Sequence, residues 1–314
     1  MSGAVAASPF AQSVLAGLAM PEKRLEPKFF YDDVGSALFE DITALDAYYP
    51  TRTEIGILEA AAPEIAALIG AGAMVTEPGA GALRKAGILL AALERPAAFA
   101  PGDISVEHLR QAAVGLAEQF PELRIAPFRL DFDKSFDPPA DVTALGPVTV
   151  FFPGSTIGNF EPTAATGLLR RFAAVRNAAF LLIGVDLKKD VDRLVRAYDD
   201  PEGVTAAFNL NILARANREL GADFDLSGFR HVARYDAGLG RIEMRLESLR
   251  DQSVALLGRR FDFRRGETIH TENSYKYSVP EFQALAASAG WASVQAWTDA
   301  EALFSVQLFR RASR

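Results

Sequence analysis

Residues 74–81 read Met74-Val75-Thr76-Glu77-Pro78-Gly79-Ala80-Gly81 and give the clearest indication of the fold. A short apolar run that ends in an acid and is followed by two closely spaced glycines is typical of a buried parallel strand and the ligand-binding loop after it. Glycine has no Cβ atom, so such a loop lets the main chain approach a ligand closely. The stretch therefore predicts one strand of an open α/β sheet, with a small molecule bound beyond its carboxyl end.

Short apolar runs and amphipathic stretches alternate around this strand. The runs that predict further strands are 97–103, 124–128, 148–152 and 178–185, and two runs at 293–297 and 303–309 indicate a terminal hairpin. Apolar residues at helical spacing predict helices over 53–69, 85–93, 106–120 and 162–175. Strands that alternate with helices are typical of a parallel, doubly wound sheet with right-handed crossovers. The sequence therefore predicts an α/β fold.

Residues 189–277 do not continue this alternation. Two helical stretches there are followed by strand-like runs at 228–250 and 254–263, and residues 1–53 form helical pieces broken by loops that are rich in aromatic side chains. A chain of 314 residues is also longer than one hydrophobic core usually supports. We therefore predict a substrate-binding domain made of 1–53 and 189–277, and a cofactor-binding domain made of 54–188 and 278–314.

Composition excludes several classes of function. Lys and Arg number 33 against 40 Asp and Glu, a net charge of -7 that makes nucleic acid an unsuitable partner. The absence of cysteine excludes disulfides, thiolate metal sites and Cys nucleophiles. We expect no metal, because His108, His231 and His270 have no companion at ligand spacing. No apolar run approaches the ~20 residues that span a bilayer, so we expect a cytoplasmic protein with no membrane partner, and a monomer.

Residues that follow the predicted strands indicate the cofactor. Asp103 could accept hydrogen bonds from both hydroxyls of a ribose, and Asp131 and Phe132 could receive an adenine ring. A nicotinamide dinucleotide would prefer a third glycine where Arg84 stands, and no phosphate-binding Walker pattern is present. A cofactor without phosphates therefore fits better, and carboxylates suit the sulfonium cation of S-adenosylmethionine (SAM).

Several blocks of sequence then carry a resemblance to a known family. They are Phe29-Phe30-Tyr31-Asp32-Asp33-Val34-Gly35-Ser36, Tyr48-Tyr49-Pro50-Thr51-Arg52-Thr53-Glu54, Gly154-Ser155-Thr156-Ile157-Gly158-Asn159, Asp186-Leu187-Lys188-Lys189-Asp190, Arg196-Ala197-Tyr198-Asp199-Asp200 and Gly203-Val204-Thr205-Ala206-Ala207-Phe208-Asn209. From about Lys28 to its C-terminus, the chain resembles the histidine-specific Nα-methyltransferases of ergothioneine biosynthesis. The resemblance implies a Rossmann-like class I methyltransferase sheet with a second, smaller α+β substrate-binding domain. It also implies SAM-dependent methylation of L-histidine, carried on to the trimethylated betaine hercynine.

The resemblance further implies which residues bind each ligand. The residues that match the family's cofactor site are Tyr48, Gly79, Lys85, Asp103, Asp131 and Phe132. The residues that match its substrate site are Tyr31, Gly154, Asn159, Tyr198, Met244, Glu272 and Ser274. Of these, Tyr31, Asn159 and Tyr198 would be catalytic, because they would orient the amino acid at its Nα and carboxylate end.

Glu272 and Ser274 would determine specificity in this scheme. Glu272 would accept a hydrogen bond from one imidazole nitrogen while Ser274 serves the other. A site that pairs both nitrogens penalises an analogue that leaves them unpaired. The glycine loop departs from the family's usual Glu-Leu-Gly-Ser-Gly, because Pro78 and Ala80 stand in it. We therefore expect main-chain groups to carry most of the cofactor binding there.

Two alternatives stay open on the sequence. One is a methyltransferase of the same architecture that acts on another amino acid or a small amine. The other is a non-catalytic protein that binds SAM and acts through partner contacts. The presence of Tyr31, Asn159, Tyr198 and Glu272 favours an enzyme, because a pure sensor has no need of an imidazole-binding pocket.

Overall fold

The structure is a computed structural model that describes residues 8–81, 83–104, 106–132 and 136–312. The helices are α1 (Pro9–Leu18), α2 (Asp33–Ala44), α3 (Tyr49–Ile69), α4 (Arg84–Ala92), α5 (Val106–Gln119), α6 (Ala140–Thr143), α7 (Pro162–Ala174), α8 (Val191–Tyr198), α9 (Val204–Leu220) and α10 (Val279–Ser288). The strands are β1 (Met74–Pro78), β2 (Ala98–Asp103), β3 (Phe128–Arg129), β4 (Val148–Phe152), β5 (Ala178–Asp186), β6 (Phe229–Asp236), β7 (Arg241–Ser248), β8 (Gln252–Leu256), β9 (Arg259–Phe263), β10 (Thr268–Tyr275), β11 (Trp291–Thr298) and β12 (Phe304–Arg311). Within the described ranges, no helix is both long and apolar enough to cross a lipid bilayer.

The chain divides into two compact units. The sheet unit consists of Pro50–Lys188 and Lys276–Arg314, and the insertion unit consists of Met1–Tyr49 and Lys189–Tyr275. The sequence placed the corresponding boundaries after residues 53, 188 and 277. Which ligand each unit binds stays a prediction.

The sheet unit is built on seven strands in the order β11-β12-β5-β4-β1-β2-β3. Strands β1 to β5 run parallel, whereas β12 pairs antiparallel with both β5 and β11. All residues of β1 and β4 are buried, as expected for the centre of a parallel sheet with helices on both faces. The predicted α/β fold is confirmed, and so are the four predicted helices and the terminal hairpin.

The third predicted strand, 124–128, is wrong in its bounds. The structure contains only the short strand β3, preceded by an isolated bridge between Ile125 and Phe99. The Ala126 N–H donates to Phe99 O at 2.8 Å, but Pro127 has no N–H with which to continue the ladder. The proline therefore separates the bridge from the strand that follows it.

The insertion unit contains a three-stranded antiparallel sheet in the order β10-β7-β6 and a separate β8-β9 hairpin. Each strand-like run in the sequence therefore splits into two strands. One face of the three-stranded sheet is buried beneath α8 and α9, which contact β6 and β7. The strand register places these residues on that face: His231, Ala233, Ile242, Met244, Leu246, Glu272 and Ser274. We call it the inner face of the sheet.

A buried ion pair lies where the insertion leaves the sheet unit and returns to it. Lys276 Nζ is 2.6 Å from Asp186 Oδ2, and both side chains are completely buried. Beside them, Leu187 and Tyr277 form a parallel bridge, and the Lys188 N–H donates to Tyr277 O at 3.0 Å. The two ends of the insertion are thus joined to each other at the carboxyl end of β5.

This ion pair gives a test of stability. Lys276→Met leaves Asp186 as a buried carboxylate without its cation, so we expect the free energy of unfolding to fall by about 3–5 kcal/mol. Urea denaturation followed by circular dichroism measures the change. The matched control is Lys188→Met, which removes an exposed ion pair with Glu281 and should change stability by about 1 kcal/mol at most. Equal effects of the two substitutions would contradict the assigned role of the buried pair.

Candidate active site

The loop after β1 folds back against the end of β2. Gly79 and Gly81 have positive φ angles of 70° and 45°, which favour glycine. The N–H groups of Gly79 and Ala80 donate to Gly102 O at 2.7 and 3.2 Å. A Cβ atom on Gly79 would lie 3.2 Å from Phe132 Cζ. The loop therefore has little room for a side chain at Gly79, and the N–H groups of Gly79 and Ala80 already have a main-chain acceptor.

The acidic residues predicted to bind the cofactor lie at the same edge of the sheet. Asp103 ends β2 and its carbonyl accepts from the Leu130 N–H at 2.9 Å, which holds the segment leading to Asp131 alongside it. The Phe132 ring packs 5.9 Å from Phe152, between ring centroids, and Arg171 Nη1 donates to Phe132 O at 2.8 Å. The structure thus brings Gly79, Asp103, Asp131 and Phe132 to one edge of the sheet, and their binding of the cofactor stays a prediction.

A second carboxyl group, that of Glu77, is buried directly before the glycine loop. Its side chain is 3% exposed, and among the described residues Oε2 has no hydrogen-bond partner. Burial raises the pKa of Glu77 well above its usual range, against the opposing effect of Lys85 and with further increases from Glu54 and Asp103. A buried carboxyl group such as that of Glu77 suits a cationic ligand group. The loop therefore fits SAM, whose sulfonium and ammonium groups are positive.

Glu54 holds the neighbouring part of this edge together, and the sequence analysis did not assign it a role. It is 1% exposed, its Oε2 pairs with the Lys85 ammonium, and both its oxygens accept from the Gly154 N–H at 2.9 Å. Gly184 leaves space for it, since a Cβ there would lie 1.9 Å from Glu54 Oε1. The sequence did contain a signal for this role: Glu54 is an acid at helical spacing with apolar residues such as Ile57, so it lies on the apolar face of the predicted helix.

The turn after β4 places Gly154 and Asn159. Gly154 has a φ of 81° and Ser155 one of 55°, and the chain then forms a short 3-10 helix over Thr156–Asn159. Ser155 Oγ accepts from the Asp186 N–H at 2.9 Å, which ties this turn to the end of β5. Asn159 is half-buried at the end of that helix.

The residues predicted to contact the imidazole lie on the inner face of the insertion unit. Glu272 is opposite Met244 in the strand register, and a bulge at Thr271 precedes it. The Tyr198 and Ser274 hydroxyls are 2.8 Å apart and buried. Glu272 and Ser274 thus lie two positions apart on β10, both on the inner face, and their contact with an imidazole stays a prediction. The Tyr48 ring packs edge-on against Tyr198, with ring centroids 6.2 Å apart.

Tyr31 lies outside the helices and strands, and neighbouring aromatic rings position its side chain. It is 36% exposed, and its ring lies 5.6 Å from Phe39 and 5.8 Å from Phe208. The adjacent Asp32 caps α2 by accepting from the Gly35 N–H at 2.7 Å, and it also accepts from the Asn211 side chain at 2.8 Å. Asp32 thus holds the chain next to Tyr31 in place. The sequence did not indicate this role, although Asp32 lies inside one of the blocks that carry the resemblance.

The predicted site residues divide between the two units. The sheet unit holds Gly79, Lys85, Asp103, Asp131, Phe132, Gly154 and Asn159, and the insertion unit holds Tyr31, Tyr48, Tyr198, Met244, Glu272 and Ser274. Their individual roles stay predictions. In the part of the chain that the structure describes, no three or more His, Asp or Glu residues form a metal-binding group, and the side chain of His108 lies outside that part.

Comparison with known proteins gives a consistent family. Residues 10–311 match the model of a family described as histidine-specific, SAM-dependent methyltransferases. Histidine N-alpha-methyltransferase of Mycolicibacterium smegmatis is 42% identical over 309 residues, which cover 96% of this chain and 95% of that protein. Its counterpart in Mycobacterium tuberculosis is 40% identical and covers 95% and 93%. Ergothioneine biosynthesis protein 1 of Neurospora crassa is 32% identical, with 88% of this chain and 32% of that protein covered.

The space that Gly184 provides for Glu54 can be tested directly. In Gly184→Ala the added methyl group would overlap Glu54 Oε1, so we expect a loss of about 1–3 kcal/mol in the free energy of unfolding. The matched control is Gly115→Ala in α5, where a Cβ meets nothing within 4 Å. Alanine there should be neutral or stabilise the helix by about 0.5–1 kcal/mol. Chemical denaturation measures both, and a Gly184→Ala protein as stable as the control would overturn this explanation.

Proposed function

Since the chain belongs to the histidine-specific, SAM-dependent methyltransferases, we propose that it methylates the α-amino nitrogen of L-histidine in ergothioneine biosynthesis. Its seven-stranded sheet is the Rossmann-like class I methyltransferase sheet expected from the sequence. The observation that carries the proposed substrate is the inner face of the insertion unit. Glu272 and Ser274 lie there two positions apart on β10, with the Ser274 hydroxyl 2.8 Å from that of Tyr198, and an acidic acceptor together with a hydroxyl matches the two nitrogens of an imidazole.

The chemistry requires orientation rather than a covalent intermediate. When bound, SAM would supply an electrophilic methyl carbon: the lone pair of the neutral amino nitrogen would form the N–C bond as the C–S bond breaks, the thioether would leave, and the methylated nitrogen would lose its proton to water before the next transfer. Glu272 and Ser274 hold the imidazole, and Tyr31, Asn159 and Tyr198 orient the amino group and the carboxylate. The aromatic rings of Tyr31, Phe39 and Phe208, which pack together, suit an amine that becomes a permanent cation.

We propose that the reaction continues to the trimethylated betaine, hercynine. The purified protein, incubated with L-histidine and excess SAM, should give products with mass gains of one, two and finally three methyl groups by mass spectrometry. Accumulation of the monomethyl product alone would contradict trimethylation, and the absence of any mass gain would contradict the proposed function. The cytoplasmic location and monomeric state expected from the sequence stay predictions, which cell fractionation and sedimentation can test.

Asp103 is proposed to bind the ribose hydroxyls of the methyl donor. Asp103→Ala removes hydrogen bonds to a charged acceptor, which contribute about 1.5–3 kcal/mol, so the Kd for SAM should rise about 10- to 150-fold. Isothermal titration calorimetry measures this value. The matched control is Asp141→Ala, which removes an exposed carboxylate paired with Arg124 in the same unit and should leave the Kd unchanged. Unaltered affinity in Asp103→Ala would remove Asp103 from the proposed cofactor site.

Glu272 is proposed to select histidine. Glu272→Ala should lower kcat/KM for histidine about 10- to 150-fold, because one imidazole nitrogen loses a charged acceptor. The value for phenylalanine or tryptophan, which have no imidazole, should change far less, so the selectivity ratio falls. The control is Glu247→Ala, on the opposite face of the same sheet, where Glu247 pairs with Arg230. Selectivity that survives in Glu272→Ala would argue against this assignment.

A relative with a different named substrate keeps a second candidate function open. The 4-dimethylallyltryptophan N-methyltransferase of Claviceps purpurea is 25% identical over 313 residues, with 92% of this chain and 91% of that protein covered. The same substrate panel separates the two candidates. Turnover of an indole amino acid in preference to histidine would favour the alternative, and cofactor binding without turnover of any amine would favour a non-catalytic protein.

A further inference from the structure

His231 occupies a buried position on the inner face of the insertion unit, and the proposed reaction does not use it. Its side chain is 1% exposed. One ring nitrogen, Nε2, lies 2.7 Å from the main-chain oxygen of Tyr198, and the other, Nδ1, lies 2.8 Å from Asn209 Nδ2. Both ring nitrogens therefore have partners, and the imidazole joins a helix end to the side chain of another helix.

The partners determine which nitrogen of His231 carries the proton. The Tyr198 carbonyl can only accept, so Nε2 must donate. Asn209 Nδ2 also lies 3.1 Å from the carbonyl of Arg245. Because a carbonyl oxygen can only accept, the amide nitrogen of Asn209 faces both Arg245 O and Nδ1 of His231, and Nδ1 accepts. With one ring nitrogen donating and the other accepting, the imidazole is neutral. Burial lowers the pKa of His231, which also favours the neutral form.

The bond to Tyr198 meets a need of the backbone. Tyr198 is the last residue of α8, and the next residue, Asp199, leaves the helix with φ -146° and ψ 70°. The final carbonyls of a helix have no partner within it. His231 supplies the partner for the carbonyl of the same residue whose hydroxyl lies 2.8 Å from Ser274 Oγ.

We propose that His231, itself oriented by Asn209, is a positioning residue that fixes the main chain of Tyr198 and thereby aims the Tyr198–Ser274 hydroxyl pair at the substrate. The inference deepens the proposed function and rests on it for the identity of the substrate. Displacement of the helix end would move the Tyr198 hydroxyl and loosen the pair. The expected consequence is weaker recognition of the amino acid, while the affinity for SAM stays the same.

Two substitutions separate the two nitrogens of His231. In His231→Gln the side-chain amide nitrogen can take the place of Nε2 and still donate to Tyr198 O. In His231→Asn the side-chain oxygen can replace Nδ1 and still accept from Asn209, but the bond to Tyr198 is lost. We expect kcat/KM for histidine to fall at least about tenfold in His231→Asn, as for a lost buried hydrogen bond, and to be largely retained in His231→Gln.

A matched control is available in the other histidine of this sheet. His270 lies on the opposite face, where Nε2 bonds Asn273 Oδ1 at 2.8 Å. His270→Asn should leave kcat, KM and the Kd for SAM close to the wild-type values. Thermal denaturation of all three variants shows that they are folded at the assay temperature, and calorimetry with SAM should give equal Kd values.

Several outcomes would overturn the proposal. It fails if His231→Asn is as active as the wild type, if His231→Gln is as impaired as His231→Asn, or if the Kd for SAM rises in step with the loss of activity. Lack of histidine turnover by the wild type would instead refute the proposed function. The positioning role would then be decided by crystal structures of the wild type and His231→Asn, where hydroxyls of Tyr198 and Ser274 still at 2.8 Å in the variant would refute it.

Discussion

The buried ion pair between Lys276 and Asp186 is the interaction on which the two-unit organisation depends. Removing two charges from water is costly, and the cost is offset only while each faces the other. The pair lies where the chain leaves the seven-stranded sheet and where it returns, so a long insertion begins and ends at one fixed point. Strand β5 and helix α10 can therefore belong to one sheet unit although most of the insertion unit lies between them in the chain.

Buried acids dominate the carboxyl edge of that sheet, but their environments differ. Both carboxylate oxygens of Glu54 accept hydrogen bonds, from the Lys85 ammonium and the Gly154 N–H. Glu54 therefore fixes the position of Lys85 relative to the turn at Gly154. Glu77 is also buried, and within the part of the chain that the structure describes its Oε2 has no hydrogen-bond partner, so the charge of Glu77 depends on the ligand group that binds beside it. One edge thus combines a rigid support with a carboxyl group that can respond to a cationic ligand.

The sequence predicted those parts of the molecule whose local pattern matches their environment. Strands β1 and β4 are short runs of mostly apolar residues, and both were predicted almost at their observed bounds. Strand β10 was not recognised, because its buried face carries the polar residues Glu272 and Ser274, whose burial is compensated only by contacts distant in sequence. The roles of Glu54 and His231 depend likewise on partners that the folded chain brings together, although the family blocks identified many of the site residues.

The bulge at Thr271 has a consequence for the occupancy of the inner face. In a regular strand His270, Glu272 and Ser274 would point the same way. The extra residue instead turns His270 to the opposite face, opposite Arg245 in the register, where its main chain is held by Lys23 and Leu25. On the proposed role of Glu272, an imidazole tethered beside it would compete with free histidine at a very high effective concentration. The additional residue in the strand keeps the His270 side chain off the inner face, where that competition would occur.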